Sequence, residues 1–374
     1  MKEKRSDWWK AIAGLAVVAV LAVGLGLLFR GQRPTPGTTE PTATVTATST
    51  TTPAPTGTPP PRHLSAAVEV QAPQGFWLKG LNGDTVVGLL DIKGESQIVI
   101  LDLVTGEMRQ VSSATDTYSK SSIRISDRWV VWVEKAELAD RSTERRLKVY
   151  DRDQGYEFEL EAAPDNLDLS GNVVTWEEWV GGENSSDIFA YDLGTRTKVV
   201  VAERPGGQTL PRVSGSWIVY LEPGENSRET GTVGLRAHNL ETGEDFLLDQ
   251  ACVLGSDGSG IHAISEGRVV WTQCTQTETD WEFRLLGVDL NGPRDEYFVN
   301  LPGWFFFKGL FGTVLAHRVG VGIELYDLER KEPLPAVDVL QVEVGDLFIS
   351  GDRVVWTTEN IEGPEGLHTA WIEQ

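Results

Sequence analysis

The sequence is poor in the residues and motifs that mark metal centres, disulfide scaffolds and hydrolases. It has two cysteines, too few for a small domain held by several bridges, and five histidines, which leaves little material for a histidine-rich metal centre. The G-x-S-x-G, H-E-x-x-H and P-loop motifs are absent. With 33 Lys and Arg against 55 Asp and Glu, the chain also lacks the positive charge that a nucleic-acid-binding surface needs.

The negative charge is concentrated in the larger, C-terminal part of the chain. The formal net charge is −22, yet residues 1–65 contain seven Lys or Arg and only three Asp or Glu. The remainder is therefore more acidic than the chain as a whole. Such a body stays soluble and repels anionic surfaces.

The only long apolar run, AIAGLAVVAVLAVGLGLLF, lies at 11–29 and is flanked by Lys10 and Arg30. A helix of this length, at about 1.5 Å per residue, nearly matches a hydrocarbon core of about 30 Å. We therefore expect a single-pass transmembrane anchor at 11–29, with residues 1–10 as a short cytoplasmic tail. A cleaved signal peptide is the alternative, although no clear A-x-A site follows the run.

A Thr- and Pro-rich stretch separates this run from the rest of the chain. Residues 30–63 have almost no apolar bulk after the anchor, so they cannot bury a core and are predicted to form an extended linker. The folded head is predicted at 64–374. On this interpretation the protein sits in the cell membrane, and its C-terminal head is extracytoplasmic.

The head contains a repeat that is visible in its V-V-W runs. Five such runs end at aromatic residues, and two weaker ones end at Gly88 and Ala316. The successive separations are 44, 44, 44, 51, 45 and 40 residues, a period typical of four-stranded propeller blades. We call the aromatic positions the ruler residues; they are Trp132, Trp176, Tyr220, Trp271 and Trp356.

Each repeat predicts four strands. The first strand ends in Ser or in Lys-Gly, the second is the V-V-W run, the third is a Y-D-L run such as 190–197, and the fourth follows a polar turn. The seventh repeat stops after its third strand, and residues 66–70 are predicted to supply the fourth. The expected fold is all-β: a seven-bladed propeller closed by an N-terminal strand. Six or eight blades also fit, because the first and sixth repeats are degenerate.

The runs IRIS, VVW and YDL with a following T-G-E turn resemble those of TolB-like and WD-repeat-like bacterial propellers. The resemblance covers most of 66–374. It implies a propeller fold and a binding function. The chain departs from the TolB pattern, since it has neither an S-P-D-G turn nor a preceding α/β domain.

Two features of the repeat predict packing and cross-linking. Every blade packs both faces against neighbours, so the ruler residues are expected to be buried between blades. Cys252 lies in a loop from a fourth to a first strand, and Cys274 lies just past a ruler residue. Because such positions emerge on the same face of an up-and-down blade, we expect a disulfide, with free thiols as the alternative.

Acidic and aromatic residues near that face are candidates for binding. Glu134, Glu178 and Glu222 each stand two positions past a ruler residue in consecutive repeats, and could hold Ca²⁺ or a cationic peptide end. Trp179 and Trp281, the latter beside Asp280, are candidates for stacking on sugars. The competing interpretations are solvated surface acids and loop packing.

The sequence therefore favours a ligand- or protein-binding module without catalytic activity. Its partner would be a protein, a peptide or a cell-surface glycan, with no nucleic acid and no cofactor other than Ca²⁺. One alternative is a propeller hydrolase that cleaves glycan or peptide with two carboxylates about 5–10 Å apart. The other is a purely structural spacer.

Overall fold

The described part of the chain consists of antiparallel β-strands arranged in seven sheets. The computed structural model describes residues 62–373 except for short internal stretches. The predicted tail and anchor, and the linker up to residue 61, lie outside the described residues. Within the described ranges, no helix is long and apolar enough to cross a membrane. The internal stretches left out are 93–94, 113–117, 182–184, 225–226, 228–230, 254–260, 278–279, 295–296, 303–305, 320–321, 336–343 and 361–362.

Blades 1 to 3 each fold from four consecutive strands whose order in the sheet follows the chain. Their twelve strands are β3 (Phe76–Asn82), β4 (Thr85–Ile92), β5 (Glu95–Asp102), β6 (Met108–Gln110), β7 (Ser119–Ile125), β8 (Trp129–Glu137), β9 (Thr143–Asp151), β10 (Tyr156–Leu160), β11 (Pro164–Ser170), β12 (Val173–Trp179), β13 (Ser186–Asp192) and β14 (Thr197–Ala202).

Blades 4 to 6 repeat the same order. Their twelve strands are β15 (Thr209–Ser214), β16 (Trp217–Glu222), β17 (Thr232–Asn239), β18 (Asp245–Cys252), β19 (His262–Ser265), β20 (Arg268–Gln276), β21 (Trp281–Asp289), β22 (Val299–Pro302), β23 (Phe306–Phe311), β24 (Val314–Val319), β25 (Gly322–Asp327) and β26 (Glu332–Pro333).

Blade 7 joins the two ends of the head in one sheet. It contains β27 (Val344–Ser350), β28 (Arg353–Asn360) and β29 (Gly363–Glu373). The predicted closing strand is present as β2 (Val68–Val70), which pairs antiparallel with β29. A second short strand, β1 (His63–Leu64), extends the pairing along β29 and was not predicted.

The first strands of the seven blades form a closed circle. β3 contacts β7, and the contacts continue through β11, β15, β19, β23 and β27, which contacts β3 again. The first strand is therefore the innermost strand of each blade, and the seven surround a central channel. This confirms seven blades over six or eight.

Apolar clusters hold neighbouring blades together at all seven junctions. One of them, for example, joins Val87 of blade 1 to Trp132 of blade 2, and another joins Val355 of blade 7 to Phe76 of blade 1. All five ruler residues are at most 1% exposed. The prediction that they are packing residues is confirmed.

Serine at the end of the innermost strand links one blade to the next. At four junctions its Oγ accepts a hydrogen bond from a backbone N–H in the first turn of the following blade, and one of these bonds joins blade 7 to blade 1. The donor residues sit in tight turns with positive φ, a conformation that favours glycine. The four pairs are Gly215 to Ser170 (3.3 Å), Glu266 to Ser214 (2.8 Å), Gly312 to Ser265 (3.0 Å) and Gly83 to Ser350 (2.9 Å).

The two cysteines form the predicted disulfide. Cys252 ends β18 in blade 4 and Cys274 lies in β20 of blade 5, so the bridge joins two blades covalently. The Cα atoms are 5.2 Å apart. The predicted pairing is therefore confirmed, although Cys252 ends the fourth strand instead of lying in the loop after it.

Candidate functional site

One column of side chains on the innermost strands opens to the channel. Aligning the seven first strands gives two neighbouring columns with opposite exposure. In the first, every side chain is buried, whereas in the second every side chain is partly or largely exposed. We call the second set the channel column; its members, from blade 1 to blade 7, are Lys79, Arg124, Asp168, Arg212, Ala263, Lys308 and Phe348.

Four of the seven channel-column residues are basic, although the protein carries a net charge of −22. On an innermost strand, an exposed side chain has only the channel or its mouth to face. The channel column therefore carries a net positive charge, although Asp165 and Asp346 on the same innermost strands offset part of it. Such a concentration of like charge is unfavourable unless acids or an anionic ligand offset it.

Two of the four cations are paired with acids of a neighbouring blade. Lys79 Nζ lies 3.0 Å from Asp346 Oδ2, which joins blade 1 to blade 7. Arg124 Nε lies 3.2 Å from Asp168 Oδ1, which joins blade 2 to blade 3. The other carboxylate oxygen of Asp168 accepts the backbone N–H of Val213 in blade 4, at 3.0 Å.

The other two cations have no such partner in the part of the chain that the structure describes. Arg212 donates from Nη1 to the carbonyl oxygen of Pro211 at 2.9 Å, and no described carboxylate lies within ion-pair distance of it. Lys308 is exposed and likewise has no described carboxylate within that distance. These two residues flank blade 5, where the channel column holds only Ala263.

Burial in and beside the channel wall shifts the pKa values of Arg212 and His262. Burial lowers the pKa of the Arg212 guanidinium, while the nearby charge of Asp168 raises it and that of Arg124 lowers it. The neighbouring His262 is buried between blades 4 and 5, and burial lowers its pKa to about 3, with the Arg212 charge acting in the same direction. His262 is therefore neutral at physiological pH, and the positive charge here belongs to Arg212.

A cavity of about 710 Å³ lies at the face of the first turns. Gly312 and Gly351, in the turns that follow the innermost strands of blades 6 and 7, are part of its wall, so it adjoins the mouth of the channel. Trp371 and Arg268 also line it.

The channel column was not identified from the sequence. The signal was present, since the repeat aligns Lys79, Arg124, Arg212 and Lys308 one position after a buried residue. Reading the charges down this column would have exposed it. The bulges in most of the innermost strands, such as the one between Leu78 and Gly80, hide the in-and-out alternation on which such a reading depends.

Two of the three predicted glutamates accept hydrogen bonds from buried indoles. Glu134 is buried, and its Oε1 lies 3.3 Å from the Nε1 of Trp132. Glu178 Oε2 lies 2.9 Å from the Nε1 of Trp176. Each carboxylate therefore supplies the acceptor that a ruler residue of its own strand requires in the core. A role for them in binding stays a prediction.

The third glutamate, Glu222, belongs to an ionic network between blades 3 and 4. It pairs with Arg204 at 3.3 Å and with Arg236 at 3.2 Å. Both arginines also bind Asp245, at 2.7 and 2.6 Å, and the hydroxyl of Tyr220 donates to the same carboxylate at 2.7 Å. Burial opposes ionisation of Asp245, but these hydrogen bonds outweigh it and lower its pKa to about 2.

The remaining candidates lie at strand ends rather than within loops. Trp179 ends β12 and is 54% exposed, with Val180 exposed beside it. Trp281 begins β21 and is half-buried, and its backbone N–H donates to Asp280 Oδ1 at 2.8 Å. Trp179 is thus the candidate that stands most open to a partner.

Within the described ranges, no three His, Cys, Asp or Glu side chains lie together in a way that could hold a metal ion. In particular, Glu134, Glu178 and Glu222 do not form such a group. The carboxylate-rich group on which the Ca²⁺ prediction depended is therefore not found among the described residues.

No protein family model matches the chain, and no curated protein matches it. Several solved structures do. An oligogalacturonate lyase in complex with manganese is 11% identical with a TM-score of 0.55, and the match covers 84% of this chain and 97% of that one. An uncharacterised protein of Listeria monocytogenes EGD-e is 11% identical with a TM-score of 0.54, covering 78% and 92%. The β-propeller domain of the trilobed protease from Pyrococcus furiosus is 13% identical with a TM-score of 0.50, covering 65% and 80%.

At these levels of identity the likeness concerns the fold alone. It agrees with the strand order and with the closed circle of innermost strands. The narrower resemblance to TolB-like and WD-repeat-like propellers is not confirmed. The described chain has the fold of a seven-bladed, all-β propeller with four-stranded blades.

Proposed function

We propose that the propeller takes a carboxylated carbohydrate into its central channel and acts on it as an enzyme. The observation that carries the proposal is the channel column, which has four cations and only one acid in a strongly acidic protein. Narrow clefts with low-dielectric walls focus the field of such charges on a bound anion. The acidic remainder of the protein repels the same anion, which makes the channel the favoured site.

The enzymatic part of the proposal is supported by the similar structures. One is an oligogalacturonate lyase, named for an acidic sugar chain, and another is a domain of a protease. This supports an enzyme over the non-catalytic module that the sequence favours. The positive channel supports an acidic glycan over a peptide of unspecified charge.

The described channel fits elimination better than hydrolysis by a carboxylate pair. Hydrolysis needs one carboxyl group that can donate a proton and a second carboxylate nearby. Asp168 and Asp346 are each engaged in an ion pair with a cation of the column, so neither is free to serve as a member of such a pair. Elimination from a uronate needs cations on the carboxylate and a base that removes the proton α to it. The base takes the α-proton, the C–H electron pair forms a C=C bond in the sugar as the glycosidic C–O bond breaks, and the leaving oxygen takes a proton from the protonated base or from water.

The full chain in detergent, incubated with oligogalacturonate, tests the proposal. Elimination is expected to raise both the ultraviolet absorbance of unsaturated uronate and the number of reducing ends. A neutral oligosaccharide of the same length is the matched control and should remain intact. Absence of both cleavage and calorimetric binding of oligogalacturonate would contradict the proposal, while binding without cleavage would reduce it to a binding module.

We also propose that the head lies outside the cytoplasm. A transmembrane anchor at 11–29 and a linker at 30–63 would place the head outside the cytoplasm. The Cys252–Cys274 disulfide supports this, because such bridges persist in oxidising compartments. Labelling of the head with a membrane-impermeant reagent on intact cells tests it.

A second candidate function is non-catalytic binding of a protein or glycan at blade 3. It is favoured by Trp179 and Val180, which lie side by side and are both about half exposed. Exposed indole next to aliphatic surface suits stacking on a sugar or packing on a protein. Loss of partner binding on Trp179→Ala, with cleavage of oligogalacturonate retained, would support this second site.

A further inference from the structure

The four channel cations are not equivalent, and their difference locates the binding position within the channel. Lys79 and Arg124 already lie within 3.2 Å of carboxylates. Arg212 and Lys308 do not, among the described residues. These two stand on blades 4 and 6, so that blade 5 lies directly between them.

Blade 5 presents the smallest side chain of the channel column at this point. Ala263 is partly exposed, so its methyl group borders the channel. The other six positions carry side chains from aspartate to arginine in size. The alanine therefore leaves a gap of roughly one side chain between two cations that lack a described counter-ion.

We infer that one carboxylate of the ligand binds in this gap, against Ala263 and between Arg212 and Lys308. The inference rests on the proposed function and specifies the subsite through which it would operate. Arg212 offers the planar fork that binds a carboxylate through two parallel hydrogen bonds. Lys308 supplies a second positive charge, on a flexible side chain, from the other side of blade 5.

The energetics favour an anion at Arg212 in particular. The fold has already removed much of the water from this guanidinium, and burial lowers its pKa. Its described hydrogen bond goes to the neutral carbonyl of Pro211. An enclosed cation of this kind gains more from a new charged partner than an exposed one does, because the dielectric constant around it is low.

The side chain beyond Lys308 suits the rest of a sugar acid. Phe348, on blade 7, is the one aromatic member of the channel column and is partly exposed. The apolar face of a pyranose ring packs well on such a ring. Blades 5, 6 and 7 thus present in turn a small gap at Ala263, a cation at Lys308 and an aromatic face at Phe348. This order suits a carboxylate attached to a sugar ring better than it suits a free phosphate.

Calorimetric titration of the full chain with trigalacturonate tests the inference. Arg212→Gln and Lys308→Gln are each expected to weaken binding by about tenfold, the usual effect of losing one charge-assisted hydrogen bond. Ala263→Leu keeps both cations but fills the gap, and should weaken binding at least as much. The methyl ester of the same trisaccharide, which has no free carboxylate, should bind to the wild type about as weakly as the acid binds to Arg212→Gln.

Lys331→Gln is the control, since it removes the same charge from an exposed turn of blade 6, outside the channel column. It is expected to change the affinity by less than threefold. Equal losses for Lys331→Gln and Lys308→Gln, or unchanged binding by Ala263→Leu, would overturn the inference and leave the proposed function standing. No binding by the wild type would overturn both. Should Arg212→Gln fail to fold, the exposed Lys308 and the Ala263 substitution still decide.

Discussion

A buried tryptophan brings one polar N–H into the core, and three of the four ruler tryptophans have an acceptor for it within reach. The indoles of Trp132 and Trp176 donate to the glutamate two residues further along their own strand. The indole of Trp271 instead donates to Asp249 of the preceding blade, at 3.2 Å. The carboxylates therefore allow these three rings to fill the space between blades without an unsatisfied donor, whereas the buried Nε1 of Trp356 has no hydrogen-bond partner among the described residues.

The Trp176→Ala substitution tests the packing role of the ruler residues. Trp176 is 1% exposed and lies in a cluster that joins blades 2 and 3. Removing it leaves a cavity and an unpaired carboxylate at Glu178, so we expect the free energy of unfolding to fall by about 3–5 kcal/mol. Chemical denaturation measures the loss.

Trp179→Ala is the control for that measurement, because it removes the same side chain three residues further on, where it is 54% exposed. Its effect on the free energy of unfolding should stay below about 1 kcal/mol. Similar losses in the free energy of unfolding for the two variants would show that a ruler residue stabilises the fold no more than an exposed tryptophan does.

The carboxylate of Asp245 makes the stability of the blade 3–4 junction depend on pH. Its hydrogen bonds lower its pKa to about 2 in the folded protein, against about 3.9 in an unfolded chain. The folded state is therefore stabilised by this group above about pH 4, by roughly 2 kcal/mol. That stabilisation is lost as the pH falls towards 2.

Denaturation curves recorded across this acidic range should show a shallower dependence on pH in Asp245→Asn than in the wild type. The substitution also lowers stability at neutral pH, since Arg204 and Arg236 lose their shared partner. Glu241→Gln, at an exposed position in the neighbouring turn, is the control and should follow the wild-type curve. Parallel curves for the wild type and Asp245→Asn would contradict the assignment.

Among the elements, the bridge between β18 and β20 is the one side-chain cross-link between described blades. It closes a loop of 22 residues. In the chain-entropy account, a loop of this size stabilises the folded state by about 3 kcal/mol. Reduction should lower the denaturation midpoint, and Cys252→Ala combined with Cys274→Ala should lower it equally whether or not a reductant is present.

Mass spectrometry of the unreduced chain provides the independent check on this link. Digestion between the two cysteines should release a cross-linked peptide pair whose mass rises by two hydrogens on reduction. Two separate peptides before reduction would show free thiols and remove the expected stability difference.

Much of this element-level arrangement could be predicted, because the repeat fixes it many times over. The spacing of Trp132, Trp176 and Tyr220 sets the second strands, and a sheet with a missing member requires closure by 66–70. The short strand at His63–Leu64 carried no comparable signal, since two residues have no period. The acceptor role of Glu134 and Glu178 was not predicted, because both were expected at the exposed face of the propeller. Instead, each contacts the indole two residues back on the same face of its own strand.

At the scale of the whole molecule, the ring depends on the strand that closes it. β2 and β1 both pair with β29, and Leu64 belongs to the apolar cluster that joins blades 6 and 7. A chain that starts at Pro73 lacks both strands and exposes an edge of blade 7. We expect it to unfold at a clearly lower temperature and to associate through that edge, as measured by calorimetry and sedimentation.

Glu69→Pro is a milder variant of the same test, since it removes one backbone donor from an exposed position of β2. Its melting temperature should lie between those of the wild type and the truncated chain. A truncated chain that is as stable and monomeric as the wild type would show that closure contributes nothing to the ring.

Sharing blade 7 between distant parts of the chain also has a consequence during synthesis. β2 leaves the ribosome early, but its partner β29 emerges only after six intervening blades have been translated. Until then the nascent head is an open arc with two unsatisfied sheet edges, and such edges invite pairing with other chains. Chaperone demand during translation or export should therefore peak just before the last blade appears.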